Sequence, residues 1–315
     1  MTVRPSRLQE ATALLGPYRA GGTELIRLRR LGRAPGEPVD LRRVLELRDI
    51  QWSGDTLRIG ALVTLRELAA HDAVRIHYPV LADAARQVAN PNVRALATVG
   101  GNLLQHTRCD YFSHPDLTCL RTTGPSCPAR AGHHERGVLF DTEECVAPHP
   151  STLATVLSCY DTLAHVTGRE PLTLAELLTP PGPQAAHALG PGEVMVSVDL
   201  PRVHPGERAG YVRVSTRAQS DWPLVEVAVR MTGDAETVEW ARVTAGAVAP
   251  QPLRLHAVED VLRGRAPSDE VLRDAAARAT DGARPLPGTR YKLRQLQSAV
   301  LQALRSAQGR DVPDR

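Results

Sequence analysis

The 315-residue sequence predicts an α+β protein, and three observations carry the prediction. Short strand and helix patterns alternate before residue 54. The run Thr56-Leu-Arg-Ile-Gly-Ala-Leu62 alternates apolar and polar positions, and helical periods follow it. Beyond Gly210 three strand patterns of antiparallel type precede three amphipathic helices.

Taken in order, residues 8–15 read as a helix and 18–20 as a short buried strand. Gly21-Gly22-Thr23 then turns into a helix over 24–31, and 38–41 supplies a second strand, the order of a small parallel unit. A break at 48–54 precedes a half-buried strand at 56–62, with helices at 65–70 and 79–88. Regular pattern resumes with a helix at 151–160 and strands at 162–166 and 194–200, while 180–192 is a loop rich in Pro, Gly and Ala. Pro, His, Gly and charged residues cluster at 201–210 and mark a boundary. Strands at 211–215, 224–232 and 238–248 and helices at 255–263, 269–279 and 291–305 complete a three-stranded antiparallel sheet with helices on one face. The expected units are a first lobe over 1–54, a second over 55–203 with a Cys-rich insert at 109–147, and a C-terminal domain over 204–315.

Composition narrows the function. With 42 % apolar and 23 % charged residues the chain is an ordinary globular protein. A net charge of +3, with arginines interleaved among acids, gives no sustained basic stripe and excludes nucleic acid as the expected partner. Residues 1–10 lack the apolar core of an export signal and no apolar run reaches membrane-spanning length, so a cytoplasmic protein without membrane insertion is expected. The basic residues are almost all arginine, with Lys292 the single lysine.

Two Gly-Gly turns stand in the two lobes, at Ala20-Gly21-Gly22-Thr23-Glu24 and at Thr98-Val99-Gly100-Gly101-Asn102. Paired glycines let backbone N–H groups converge on an anion, because no Cβ blocks the approach. One such turn is weak evidence; two in separate lobes suggest a dinucleotide held between them. No Gly-x-Gly-x-x-Gly fingerprint and no P-loop is present, so neither a Rossmann site nor a nucleoside triphosphatase is indicated. No Gly-x-Ser-x-Gly elbow or His-Glu-x-x-His pair marks a hydrolase, and no catalytic residue is assigned.

Cys109, Cys119, Cys127 and Cys145 lie within 37 residues that show neither period, separated by nine, seven and seventeen residues. Structureless segments longer than about 15 residues are uncommon inside compact domains and are usually functional or disordered. The spacing contains no close ligand pair of the zinc kind, whereas iron–sulfur clusters take four thiolates from irregular loops. Zinc, a cluster and plain cysteines all stay open on spacing alone. Cys159, on an apolar helical pattern, reads as core. The histidines in or beside the loop, His106, His114, His133, His134 and His149, read as solvated groups or as neighbours of the ligands.

These residues together resemble the FAD-binding medium subunit of the xanthine dehydrogenase/molybdenum hydroxylase family. Within that family they are most similar to the flavin subunit of bacterial aldehyde oxidoreductases that carries an extra [4Fe-4S] cluster. The resemblance rests on Ala20-Gly-Gly-Thr-Glu24, Leu57-Arg-Ile-Gly-Ala-Leu62, Ala97-Thr-Val-Gly-Gly-Asn-Leu-Leu-Gln-His-Thr-Arg-Cys109 and His149-Pro-Ser151. It continues through Ala245-Gly246, Ala249-Pro250, Ala283-Arg-Pro-Leu-Pro-Gly288 and Tyr291-Lys292, in family order over nearly the whole chain.

What it implies is a two-lobed FAD-binding domain of the vanillyl-alcohol-oxidase (PCMH) type, followed by a C-terminal domain of the carbon monoxide dehydrogenase flavoprotein type. FAD would lie between the lobes, its pyrophosphate on the two Gly-Gly turns, with Ser151 and Thr152 near the cofactor and Lys292 anchoring a C-terminal contact near the flavin or a partner. Cys109, Cys119, Cys127 and Cys145 would hold the [4Fe-4S] cluster. The function implied is electron transfer, from a molybdopterin-binding large subunit and a [2Fe-2S] small subunit through FAD to an external acceptor. Export to the periplasm would need a signal-bearing partner. Three departures stand out: Thr152 where the family often has Asp, Glu24 where Asp or Asn is commoner, and Pro223 in Arg217-Ala-Gln-Ser-Asp-Trp-Pro-Leu-Val225. A stand-alone flavoprotein oxidoreductase and a zinc-stabilised interaction module without redox chemistry are the alternative readings.

Overall fold

The computed structural model describes residues 2–142, 144–216 and 220–309. The strands β1 (Tyr18–Arg19) and β2 (Val39–Asp40) pair in parallel, with the helix Leu25–Arg30 between them, as the β-turn-α-β order predicts. Their small core gathers Ala11, Val39, Leu41, Val44 and Leu47 with Leu62 and Val194 of the second lobe.

The second lobe is an antiparallel five-stranded sheet of β3 (Ile50–Ser53), β4 (Thr56–Gly60), β5 (Leu163–Val166), β6 (Leu172–Thr173) and β7 (Met195–Pro201), in the order β3-β4-β7-β5-β6. β7 follows the Cys-rich stretch in sequence yet pairs with β4, which precedes it: Leu57 opposes Leu200 and Ile59 opposes Val198. The insert is therefore an excursion from a sheet closed by long-range pairing. Leu57, Ile59, Val198 and Leu200 bury their side chains against Leu65, Leu68, Leu81, Leu153 and Leu157 of the covering helices.

The third unit is an antiparallel sheet of β8 (Arg208–Ser215), β9 (Pro223–Gly233), β10 (Val238–Gly246) and β11 (Leu253–Arg254), ordered β11-β10-β9-β8. The helix Lys292–Ala307 lies across β8 and β9, burying Leu296, Ala299, Val300, Ala303 and Leu304. Four strands stand where three were expected, because the two-residue β11 is too short to alternate. Pro223 begins β9, where a missing N–H is tolerated; Arg217, Ala218 and Gln219, in the segment before it, lie outside the described residues.

Two further expectations need correction. The interval 48–54 contains a strand, β3, paired with β4 through Ile50–Ile59 and Trp52–Leu57. The second Gly-Gly pair is the interior of the helix Val99–Leu103, entered through Thr98 and not a turn after a strand. Two glycines would disfavour a helix by about 1 kcal/mol each. The local Thr98 cap helps, and a tertiary contact, the Gly100 N–H bonded to the Ala61 carbonyl at 2.9 Å, fixes it. Cys159 is fully buried, as expected of a core residue. No described helix is long and apolar enough to cross a membrane.

Candidate functional site

The two glycine pairs face one cavity of ≈ 560 Å³ between the lobes. Gly22 has φ +81°, a conformation that L side chains rarely adopt. A Cβ on Gly21 would fall 1.7 Å from the Leu96 carbonyl oxygen, so the first turn packs directly on the chain leading into the second pair. A Cβ on Gly100 would meet Ala61 Cβ at 3.0 Å. The Thr98 hydroxyl accepts from the Gly101 N–H at 3.1 Å. Ala20, Gly21, Gly22, Thr23, Glu24, Thr98, Gly100 and Gly101 all line the cavity.

Glu24 is already engaged. Its carboxylate takes Arg108 Nη2 at 2.6 Å and Arg27 Nη2 at 3.0 Å and accepts from the His106 N–H at 3.2 Å. It thus ties the first lobe to the start of the Cys-rich stretch, and the Arg108 guanidinium stacks 4.5 Å above the Trp222 ring. His106 and His187 also line the cavity. Burial lowers both imidazoles, His187 to about 4, so His187 stays neutral at pH 7. His106 Nδ1 and Arg33 Nη1, on cavity-lining residues, are buried without a hydrogen-bond partner.

Five of the expected cofactor residues lie outside this lining. Val99 is core, its N–H bonded to the Val63 carbonyl at 2.9 Å. Asn102 Oδ1 accepts from Ser151 Oγ at 2.7 Å and from the Leu153 N–H at 3.3 Å. Ser151 Oγ also caps the helix Thr152–Ser158 by accepting from the Ala154 N–H at 2.9 Å. Thr152 Oγ1 donates to Glu226 Oε1 at 2.6 Å, inside a buried group that includes Tyr211. Lys292, fully buried, donates to the carbonyls of Gly137 at 2.7 Å, Ala247 at 3.1 Å and Arg136 at 3.3 Å. These residues brace the elements around the cavity.

Sequence reasoning did not single out Arg33, His187 or the strip 189–195 as cavity wall. The Pro/Gly/Ala composition of 180–192 marked a loop, but only the return of β7 beside β4 carries that loop across the opening.

The four clustered cysteines are free thiols. Cys119 is buried with Leu28 and Phe112, and Cys127 packs with Ala129, Val138 and Val146. Burial raises the Cys109 thiol, which also feels Cys145 and Cys119. A hydrogen bond from Cys127, then the Arg121 guanidinium, hold the Cys145 thiol below its ordinary value. All four thiols are thus linked electrostatically, although among the described residues no group of three or more His, Cys, Asp or Glu side chains is placed to hold a metal ion. Four thiols are the donor type that iron–sulfur clusters take.

Known proteins fit this geometry. Residues 2–203 match the family profile described as the FAD binding domain in molybdopterin dehydrogenase, and 210–306 match the CO dehydrogenase flavoprotein C-terminal domain. The aldehyde oxidoreductase FAD-binding subunit PaoB of Escherichia coli strain K12 is 37 % identical over 250 residues, which are 76 % of this chain and 77 % of that one. The structure of carbon monoxide dehydrogenase from Hydrogenophaga pseudoflava aligns over 99 % of this chain and 98 % of its own, with a TM-score of 0.75 and 25 % identity. A quinoline 2-oxidoreductase from Pseudomonas putida 86 shares the fold, with a TM-score of 0.76 at 22 % identity over 98 % of this chain and 97 % of its own. The chain belongs to the family of FAD-binding subunits of molybdenum hydroxylases, of the aldehyde oxidoreductase and carbon monoxide dehydrogenase type.

Proposed function

We propose that this subunit takes electrons from a [2Fe-2S] small subunit, itself served by a molybdopterin-binding large subunit that oxidises an aldehyde, and delivers them to an external acceptor. The observation that carries this reading is the cavity on which both glycine pairs converge. Its size is that of a small-molecule or cofactor site. What supports the reading further is that Gly21 and Gly22 of one lobe and Gly100 and Gly101 of the other line the same cavity, so their backbones bound the space a pyrophosphate would take. When bound, FAD supplies the exchange between single electrons and electron pairs. Gly21, Gly22, Thr23, Gly100 and Gly101 would hold its phosphates, and the strip 189–195, which lines the same cavity, would lie against it.

The same proposal gives Cys109, Cys119, Cys127 and Cys145 a [4Fe-4S] cluster, which supplies one-electron transfer when bound. What supports it is four free thiols, Cys109 in electrostatic reach of Cys119 and Cys145 and Cys127 hydrogen-bonded to Cys145. The test is an anaerobic visible spectrum of the purified chain with iron, sulfide and flavin analysis. Flavin bands over a broad shoulder, with about four irons per chain, are expected. Flavin without iron removes the cluster and keeps the flavin site; a colourless zinc protein that cannot be reconstituted with FAD overturns both.

A further inference from the structure

Arg121 lies between the cysteine stretch and the loop that leads into the cavity wall. Its backbone is held in a tight turn, in which the Cys119 carbonyl accepts from the Thr122 N–H at 2.8 Å and the Thr122 hydroxyl accepts from the Cys119 N–H at 2.9 Å. From that turn the guanidinium forks. Nε donates to Cys145 Sγ at 3.5 Å, and Nη1 donates to the Ala185 carbonyl at 3.1 Å. Ala185 belongs to the loop that continues through His187 and the strip 189–195 into β7; His187 and 189–195 line the cavity, and Ala185 stands just before them. These two contacts, 24 and 64 residues further along the chain, thus join a cysteine to the loop that leads into a cavity wall.

We propose that Arg121 is the positioning residue that couples the cysteine site to the flavin cavity, setting the reduction potential of a cluster on Cys145 and holding the 185–195 strip against FAD. The cluster half rests on the function proposed above; the loop half does not. A cationic N–H donor on a ligating sulfur stabilises the more negative, reduced state, so its removal lowers the potential. A planar guanidinium can serve two acceptors in different directions, whereas a lysine ammonium on one flexible stem supplies the charge without the fixed fork.

The experiment compares the purified holo-chain with Arg121→Gln and Arg121→Lys. It measures iron and sulfide content, the cluster midpoint by EPR-monitored redox titration, the FAD dissociation constant by fluorescence, and thermal unfolding as a check on folding. Arg121→Gln should retain iron, shift the reduction equilibrium of the cluster about tenfold towards the oxidised form, about 59 mV for one electron, and weaken FAD binding several-fold. Arg121→Lys should restore most of the potential and little of the FAD affinity; it also serves if the Gln variant does not fold. An unchanged midpoint together with unchanged FAD affinity in both variants overturns the proposal. A wild-type chain that holds no iron refutes the cluster reading, and FAD affinity then decides: weakened binding in both variants upholds the loop half, and unchanged binding overturns the proposal.

Discussion

At the scale of single residues, the glycines of the first turn make the sharpest prediction. A methyl group on Gly21 would sit 1.7 Å from a backbone oxygen that has no rotamer by which to retreat, so Gly21→Ala must separate the turn from the Leu96–Ala97 backbone. Overpacking of this kind costs about 1–3 kcal/mol, and here the displaced atoms are the cavity lining. Purified Gly21→Ala should carry much less flavin per chain than wild type. Gly182→Ala, where nothing lies within 4 Å, should carry the normal amount; equal flavin in both variants would sink the argument. Lys292 supplies a second prediction. Burial pushes its ammonium down to about 7. An unfolded lysine keeps its proton to about 10.4, so between pH 7 and 10 the unfolded chain binds more protons and the contribution of Lys292 to stability rises with pH, by at most ~1.4 kcal/mol per unit. Lys292→Met removes that slope. The wild-type advantage in unfolding free energy should grow from pH 7 to pH 9, and parallel pH profiles would refute it. The glycine pairs were legible in the sequence because their meaning is local. The surroundings of Lys292 were not, because its carbonyl partners lie 155, 156 and 45 residues away.

At the scale of elements the same distinction decides what could be read. The helix Leu65–Ala70 was legible because it is closed locally, Thr64 and Glu67 capping each other's backbone N–H groups. The helix Val99–Leu103 was illegible as a helix because the contact that fixes it comes from Ala61. The helix Thr152–Ser158 shows how an element can replace an expected contact. Thr152 points to the C-terminal sheet, where it shares Glu226 with Tyr211, and Arg213 Nε stands 3.3 Å from the same carboxylate. Burial raises the Glu226 carboxyl even so. An acid at this position would place a second carboxylate within hydrogen-bond distance of a fully buried one. Thr152→Asp is therefore predicted to destabilise the fold by about 3 kcal/mol or more without tightening FAD binding. Thermal unfolding and flavin titration of the variant check this; an Asp variant of wild-type stability with tighter FAD would show that Thr152 faces the cofactor.

Across the whole molecule the three units differ in how much they bury. The second lobe and the C-terminal domain each have a large apolar core, whereas the first lobe has a few side chains and borrows Leu62 and Val194 from its neighbour. Small cores give little stability of their own, and regions with few buried contacts open first. Yet the first lobe supplies residues 20–24 to the cavity, so a cofactor held there, as proposed, would span the weakest unit and a strong one. Ligand binding stabilises whatever must be closed to bind it, by about 2.7 kcal/mol at a hundredfold excess over the dissociation constant. Hydrogen exchange of the apo and FAD-loaded chain should separate these parts. In the apo chain, amides of β1, the helix Leu25–Arg30 and β2 should exchange fast, and loading with FAD should slow them by about a hundredfold at that excess. Amides of β8 and β9, which pair along β8 beneath the helix Lys292–Ala307, should change little. Uniform slowing across all three units would mean that the chain opens as one body and that the cofactor does not organise the first lobe.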